Sequence, residues 1–141
     1  MAVITEDTVL LSKSNYWKKA CLNAALRGQV FTPPSRIYLA LYTSNPTDAD
    51  TGQEITGGGY RRVEVSFSDP LMSSRRAVTS NKVDVAFPVA TADQGVAAYL
   101  GIRDSENGGN LLYHGALKKP REILENDLLR FLIGQLVVDE G

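Results

Sequence analysis

The chain carries one histidine, His114, one cysteine, Cys21, and sixteen acidic residues, so any chemistry it performs must be assembled from carboxylates, hydroxyls and arginines. His114 sits inside an alternating run at no ligand spacing from Cys21, which excludes a zinc site of the usual His and Cys type and leaves a structural or surface role. No serine lies in a nucleophile-elbow pattern, so acyl transfer is not expected. Gly57-Gly58-Gly59 lacks the Lys-Ser or Lys-Thr of a phosphate cradle and opens no helix; it reads as a flexible lead into a strand at Tyr60. Asp48, Asp50 and Glu54 resemble the first half of a calcium loop but lack its glycine position and terminal glutamate. Carboxylate pairs for glycoside hydrolysis exist in number, and nothing selects one. No catalytic residue, metal or cofactor is therefore expected, and the chain reads as a non-enzyme.

The residues that remain are suited to contacts. Tyr42 and Tyr60, with Asn45, Arg61, Arg75 and Arg76 in or beside two long loops, offer stacking surfaces and hydrogen-bond donors for a protein partner or a surface glycan. Trp17 and Cys21, spaced as one face of a helix, are the candidates for a docking helix. The acids around Arg61-Arg62 and Arg75-Arg76 balance their charge, which favours a subunit contact or a solvated strand end over a nucleic-acid patch.

The whole chain agrees. Fifteen basic residues against sixteen acidic ones give a formal charge of −1, which supplies no field to gather nucleic acid or an anionic membrane. The start, MAVITEDTVLLSKS, has acids before its short apolar run and is not expected to be a signal peptide. No apolar stretch approaches the roughly 18 to 20 residues of a membrane span. A single cysteine makes no internal bridge, which suits synthesis in a reducing cytoplasm. With 141 residues, 43% of them hydrophobic, one core can close unaided.

The elements that must position these side chains are mostly strands. Ser14 as N-cap and Gly28 as a left-handed C′ residue bracket one amphipathic helix, and Pro33-Pro34 ends any continuation. Alternation then begins with Ile37, Leu39 and Leu41, returns at Val63, Val65 and Phe67 and again at Val83, Val85 and Phe87, each run with one wet face. A fourth run turns Val96, Ala98, Leu100 and Ile102 inward. The turn Asn107-Gly108-Gly109-Asn110 joins it to Leu111 to Ala116 as an antiparallel hairpin. The last segment changes parity at Gly134, where a bulge or bend is expected. These signs predict a mainly β chain: an antiparallel β-sandwich or jelly-roll-like domain with one short N-terminal α-helix. Residues 1–13 read as an arm without a core position and 14–141 as a single domain, with long loops at Ser44 to Gly59 and Ser68 to Ser80.

Several stretches together resemble a known family: Ile37-Tyr38-Leu39-Ala40-Leu41-Tyr42-Thr43-Ser44-Asn45-Pro46-Thr47, Asp50-Thr51-Gly52, Glu54 to Arg62, Val85-Ala86-Phe87-Pro88, Gly101-Ile102-Arg103-Asp104, and Gly108 to Leu117. The pattern over residues 15 to 138 resembles the small tail-fibre-like virion structural proteins of tailed bacteriophages. The resemblance implies a structural part of the virion, assembled in the host bacterial cytoplasm, in contact with other virion proteins and present as a homo-oligomer, a trimer being one closed arrangement. A tail-fibre or baseplate position heads the expectations. Capsid decoration and a host-glycan-binding module are the alternatives. The chain lacks heptads and Gly-X-Y repeats, so by itself it is a module and not a fibre shaft.

Overall fold

A computed structural model describes residues 2–140. Eleven strands and one helix follow in chain order: β1 (Val3–Thr5), β2 (Val9–Lys13), α1 (Asn15–Arg27), β3 (Ile37–Tyr42), β4 (Val63–Val65), β5 (Leu71–Ser73), β6 (Arg76–Ser80), β7 (Val85–Ala86), β8 (Gly95–Arg103), β9 (Leu111–Ile123), β10 (Leu128–Phe131) and β11 (Leu136–Glu140). They form a three-stranded sheet, β1-β10-β7, and an eight-stranded sheet, β4-β3-β8-β9-β2-β11-β6-β5. The arrangement is sandwich-like and mainly β, with one helix, as expected. Among the described residues no helix is long and apolar enough to cross a membrane.

The core follows the alternation. Leu39 and Leu41 of β3, Leu100 and Ile102 of β8, Val63 and Val65 of β4, and Val9, Leu11, Leu136 and Val138 of β2 and β11 pack with Val85, Phe87, Leu129 and Phe131 from the smaller sheet. The hairpin of β8 and β9 is antiparallel. Its register slips between Ala97 and Tyr99, and that bulge turns Ala97 inward and leaves Val96 exposed, against the expectation for Val96. Val83 and Ile133 are also exposed, because Val83 precedes β7 and Ile133 lies in the turn after β10.

The expectation that residues 1–13 form an arm without a core position is corrected. Met1 lies outside the described residues, but β2 sits between β9 and β11 in the large sheet, and Val9 and Leu11 are only 2% and 1% exposed. Hiding each of these side chains is worth about 1.5–3 kcal/mol. The pairing is the second departure: β1 runs parallel to β10 and β2 parallel to β11, so the antiparallel sandwich has two parallel seams where its ends lie side by side. Gly134, φ +84°, does not bulge a strand. It belongs to a tight turn, closed by Gln135 N–H donating to Leu132 C=O at 3.1 Å, that passes the chain from the small sheet to the large one. That transfer accounts for the parity change. Asn81 pins the corner: its Nδ2 donates to Val83 and Leu132 carbonyls and its Oδ1 accepts from Leu136 N–H.

The expected single wet face fails on β3, where Ala40 and Tyr42 are buried as fully as Leu39 and Leu41. Loop 43–59 roofs that second face. The expected loop Ser68 to Ser80 is largely a hairpin, β5 with β6.

Candidate functional site

Two arginines organise the loops. Arg103 ends β8 on the same side of the sheet as Tyr42, and the chain leaves it only 7% exposed. All five guanidinium donors are used: Nη1 and Nη2 reach the Asp50 carboxylate at 2.8 and 2.9 Å, Nη1 also donates to Tyr42 Oη, and Nε and Nη2 donate to the Gly108 and Gly109 carbonyls. Only the planar fork of arginine satisfies a carboxylate and two carbonyls at once. Arg62, just before β4, repeats the arrangement. Its Nε and Nη2 hold Glu54 at 2.9 and 2.8 Å, and its Nη1 donates to Ser105 and Gly108 carbonyls. Tyr60 Oη donates to Glu54 at 2.6 Å and accepts from Leu41 N–H.

The third acid, Asp48, binds the helix to the same loop. Its carboxylate accepts from Lys18 Nζ and contacts His114 Nε2, each at 2.7 Å, and its backbone carbonyl accepts the first helical N–H, from Asn15, at 2.8 Å. Ser14 adds the expected cap by accepting from Trp17 N–H, and Gly28, φ +63°, closes the other end. Asp48, Asp50 and Glu54 thus each face a cation of the protein. Among the described residues no cluster of metal-ligating side chains forms.

These contacts set the electrostatics. Burial works to raise the Glu54 carboxyl, but the Arg62 and Tyr60 hydrogen bonds and the Arg62 charge overcome it and hold the group below its ordinary 4.5. Asp48 is lowered from 3.8, chiefly by the Lys18 and His114 hydrogen bonds. A carboxyl with a depressed folded pKa contributes stability that is complete above its unfolded pKa and lost as pH falls through the folded one. The urea midpoint should therefore fall as pH drops below about 4.5, and Glu54→Gln should flatten part of that decline, leaving the share due to Asp48. An unchanged acid limb in Glu54→Gln would remove Glu54 from this role. Glu6 runs the other way: burial pushes its carboxyl up, offset only in part by the Arg121 charge and hydrogen bond, so its contribution is present at low pH and lost as pH rises through the folded value.

The expected contact residues separate. Tyr42 is buried beneath the loop and carries the Arg103 bond. Tyr60 stacks on Phe87 with ring centroids 6.1 Å apart. Tyr42 therefore offers no free aromatic face for a glycan, whereas Tyr60 is half-buried, with its hydroxyl used inside the network. Asn45 is exposed, and its Oδ1 accepts from Thr47 N–H in a local turn. Arg61 is exposed and lines a cleft of about 420 Å³ with Glu54, Tyr60, Glu106 and Asn107. Arg75 and Arg76 are remote from it, at the tip of the β5-β6 hairpin, where Arg76 pairs with Asp139 at 3.2 Å.

Trp17 and Cys21 belong to the inner face of α1, not to an outward docking face. Trp17 Nε1 donates to Tyr113 Oη at 2.9 Å and its ring packs on Phe31, while Cys21 is half-buried and burial pushes its thiol up. The free face lies elsewhere: Leu22 and Leu26 are 60% and 78% exposed, and Val30 beyond the helix is 96% exposed. From Asn15 to Arg36 no residue is buried. Sequence reasoning missed this face because it follows the Trp17 and Cys21 row alone. Their i, i+4 spacing, one position off the Trp17 and Cys21 row, was the available signal.

A family model described as podophage GP4 fiber I protein gp80 matches residues 12–139. No curated protein matches the chain.

Proposed function

The chain belongs to the podophage GP4 fiber I protein family, and from that premise we propose that it is a non-enzymatic subunit of the virion's fibre apparatus that joins a neighbouring virion protein through α1. One observation carries the reading: a 22-residue stretch, 15–36, has no buried residue and presents Leu22, Leu26 and Val30 to solvent. A helix of this length is marginal in water unless an apolar face is covered, and only the Trp17 side is covered here. The occupant is an apolar surface flanked by acids. Between Asp7 and Asp48 the chain has no acidic residue, and its exposed Lys19, Arg27 and Arg36 belong to no ion pair among the described residues.

A non-enzymatic role is supported by the way Arg62, Arg103, Lys18 and His114 tie up the carboxylates of the long loop. The same ties make the loops a rigid frame. Several copies per particle, assembled in the host cytoplasm, belong to this reading, with the free thiol of Cys21 suited to a reducing compartment. Of the alternatives, glycan binding loses Tyr42, which is buried, and no feature of the fold favours capsid decoration. Imaging purified virions with a tag on this chain tests the proposal. Label confined to tail fibres is expected; label spread over the shell would replace it with a decoration role.

A further inference from the structure

Strand β5 is covered on neither face. Leu71 and Met72, neighbours that point to opposite faces of the sheet, are 74% and 71% exposed, and β5 is an outer strand of the large sheet, with β6 on one side only. The hairpin turns on two residues, with Ser73 opposite Arg76, Met72 opposite Ala77 and Leu71 opposite Val78. In such a hairpin the pair that closes the turn exchanges both hydrogen bonds, so the next pair does not. The Met72 N–H and C=O consequently point away from β6, at the free edge.

An outer strand with an outward donor and acceptor on one residue can pair with itself. Antiparallel pairing across a twofold at Met72 lets each copy's Met72 N–H donate to the other's Met72 C=O and sets Leu71 opposite the second copy's Ser73. The same register brings Asp69 beside the turn that carries the second copy's Arg75, twice. Both are exposed, and neither belongs to an ion pair among the described residues. Charge order along Asp69-Pro70-Leu71-Met72-Ser73-Ser74-Arg75 is thus self-complementary about its centre. We propose that β5 is a strand-addition edge for a second copy of this chain, antiparallel and centred on Met72. This contact uses none of the α1 surface and does not depend on what α1 meets.

Sedimentation velocity over a micromolar concentration series tests it. The wild type is expected to show a monomer–dimer equilibrium. Met72→Pro, which removes the outward N–H and no hydrogen bond to β6, should sediment as a monomer with unchanged circular dichroism. Asp69→Arg, which turns both cross-copy pairs repulsive, should weaken the dimer about tenfold, and Asp69→Arg with Arg75→Asp should restore it. A wild type that stays monomeric, a trimer, or a dimer indifferent to Met72→Pro would overturn the proposal, and failure of the charge exchange to restore pairing would overturn its register.

Discussion

Replacing Arg103 by alanine is expected to lower the unfolding free energy by about 3 kcal/mol and the melting temperature by on the order of 10 °C. The loss comes from what is left behind. Tyr42, only 1% exposed, loses the donor to its Oη, which costs about 1–3 kcal/mol, and the space of a side chain left only 7% exposed is emptied; the Gly108 carbonyl keeps its bond from Arg62, and Gly109 lies on an exposed turn. Asp50 is more than a third exposed on its side chain and regains water, which keeps the total below the upper end for a buried pair. Asp50→Asn should therefore cost only about 1 kcal/mol. Thermal unfolding of the two variants checks the ranking; equal small losses would mean the loops are held by other contacts.

Changing Leu22 and Leu26 together to glutamate is expected to leave the isolated protein's stability within about 0.5 kcal/mol. Both positions are largely solvated in the free chain, and glutamate is a good helix former. In the particle the same change removes two apolar side chains from the proposed interface, each worth about 1.5–3 kcal/mol, and sets two negative charges against an acid-flanked surface. Incorporation into virions should fall by at least about a hundredfold, measured as the ratio of this chain to a capsid protein in purified particles. Normal incorporation of a folded variant would show that this face is not the joint.

Legibility in the sequence tracked locality. The helix was readable because both ends carry their own caps, Ser14 and Gly28, and β3 and the β8-β9 hairpin because alternation and the Asn107 to Asn110 turn are local signals. The two parallel seams were not, because β1 meets β10 and β2 meets β11 across nearly the whole chain, and no nearby residue records such a pairing. Val9 and Leu11 looked unplaced for that reason. The burial of Arg62 and Arg103 was not legible, because arginine is ordinarily a surface residue, and it follows from a roof of loop that only the fold brings over them. Tyr42 and Tyr60 were recognised as important residues but assigned outward, since an aromatic with a polar tip suits a ligand surface and an internal network equally well.

The central claim, a fibre subunit joined through α1, is tested most directly by single-particle imaging of the intact virion at a resolution that traces this chain. The account predicts the chain within the fibre apparatus, with Leu22 and Leu26 packed against another virion polypeptide whose contacting rim carries aspartate or glutamate. A chain lying on the capsid shell, or one in the fibres whose α1 faces open solvent, would contradict it.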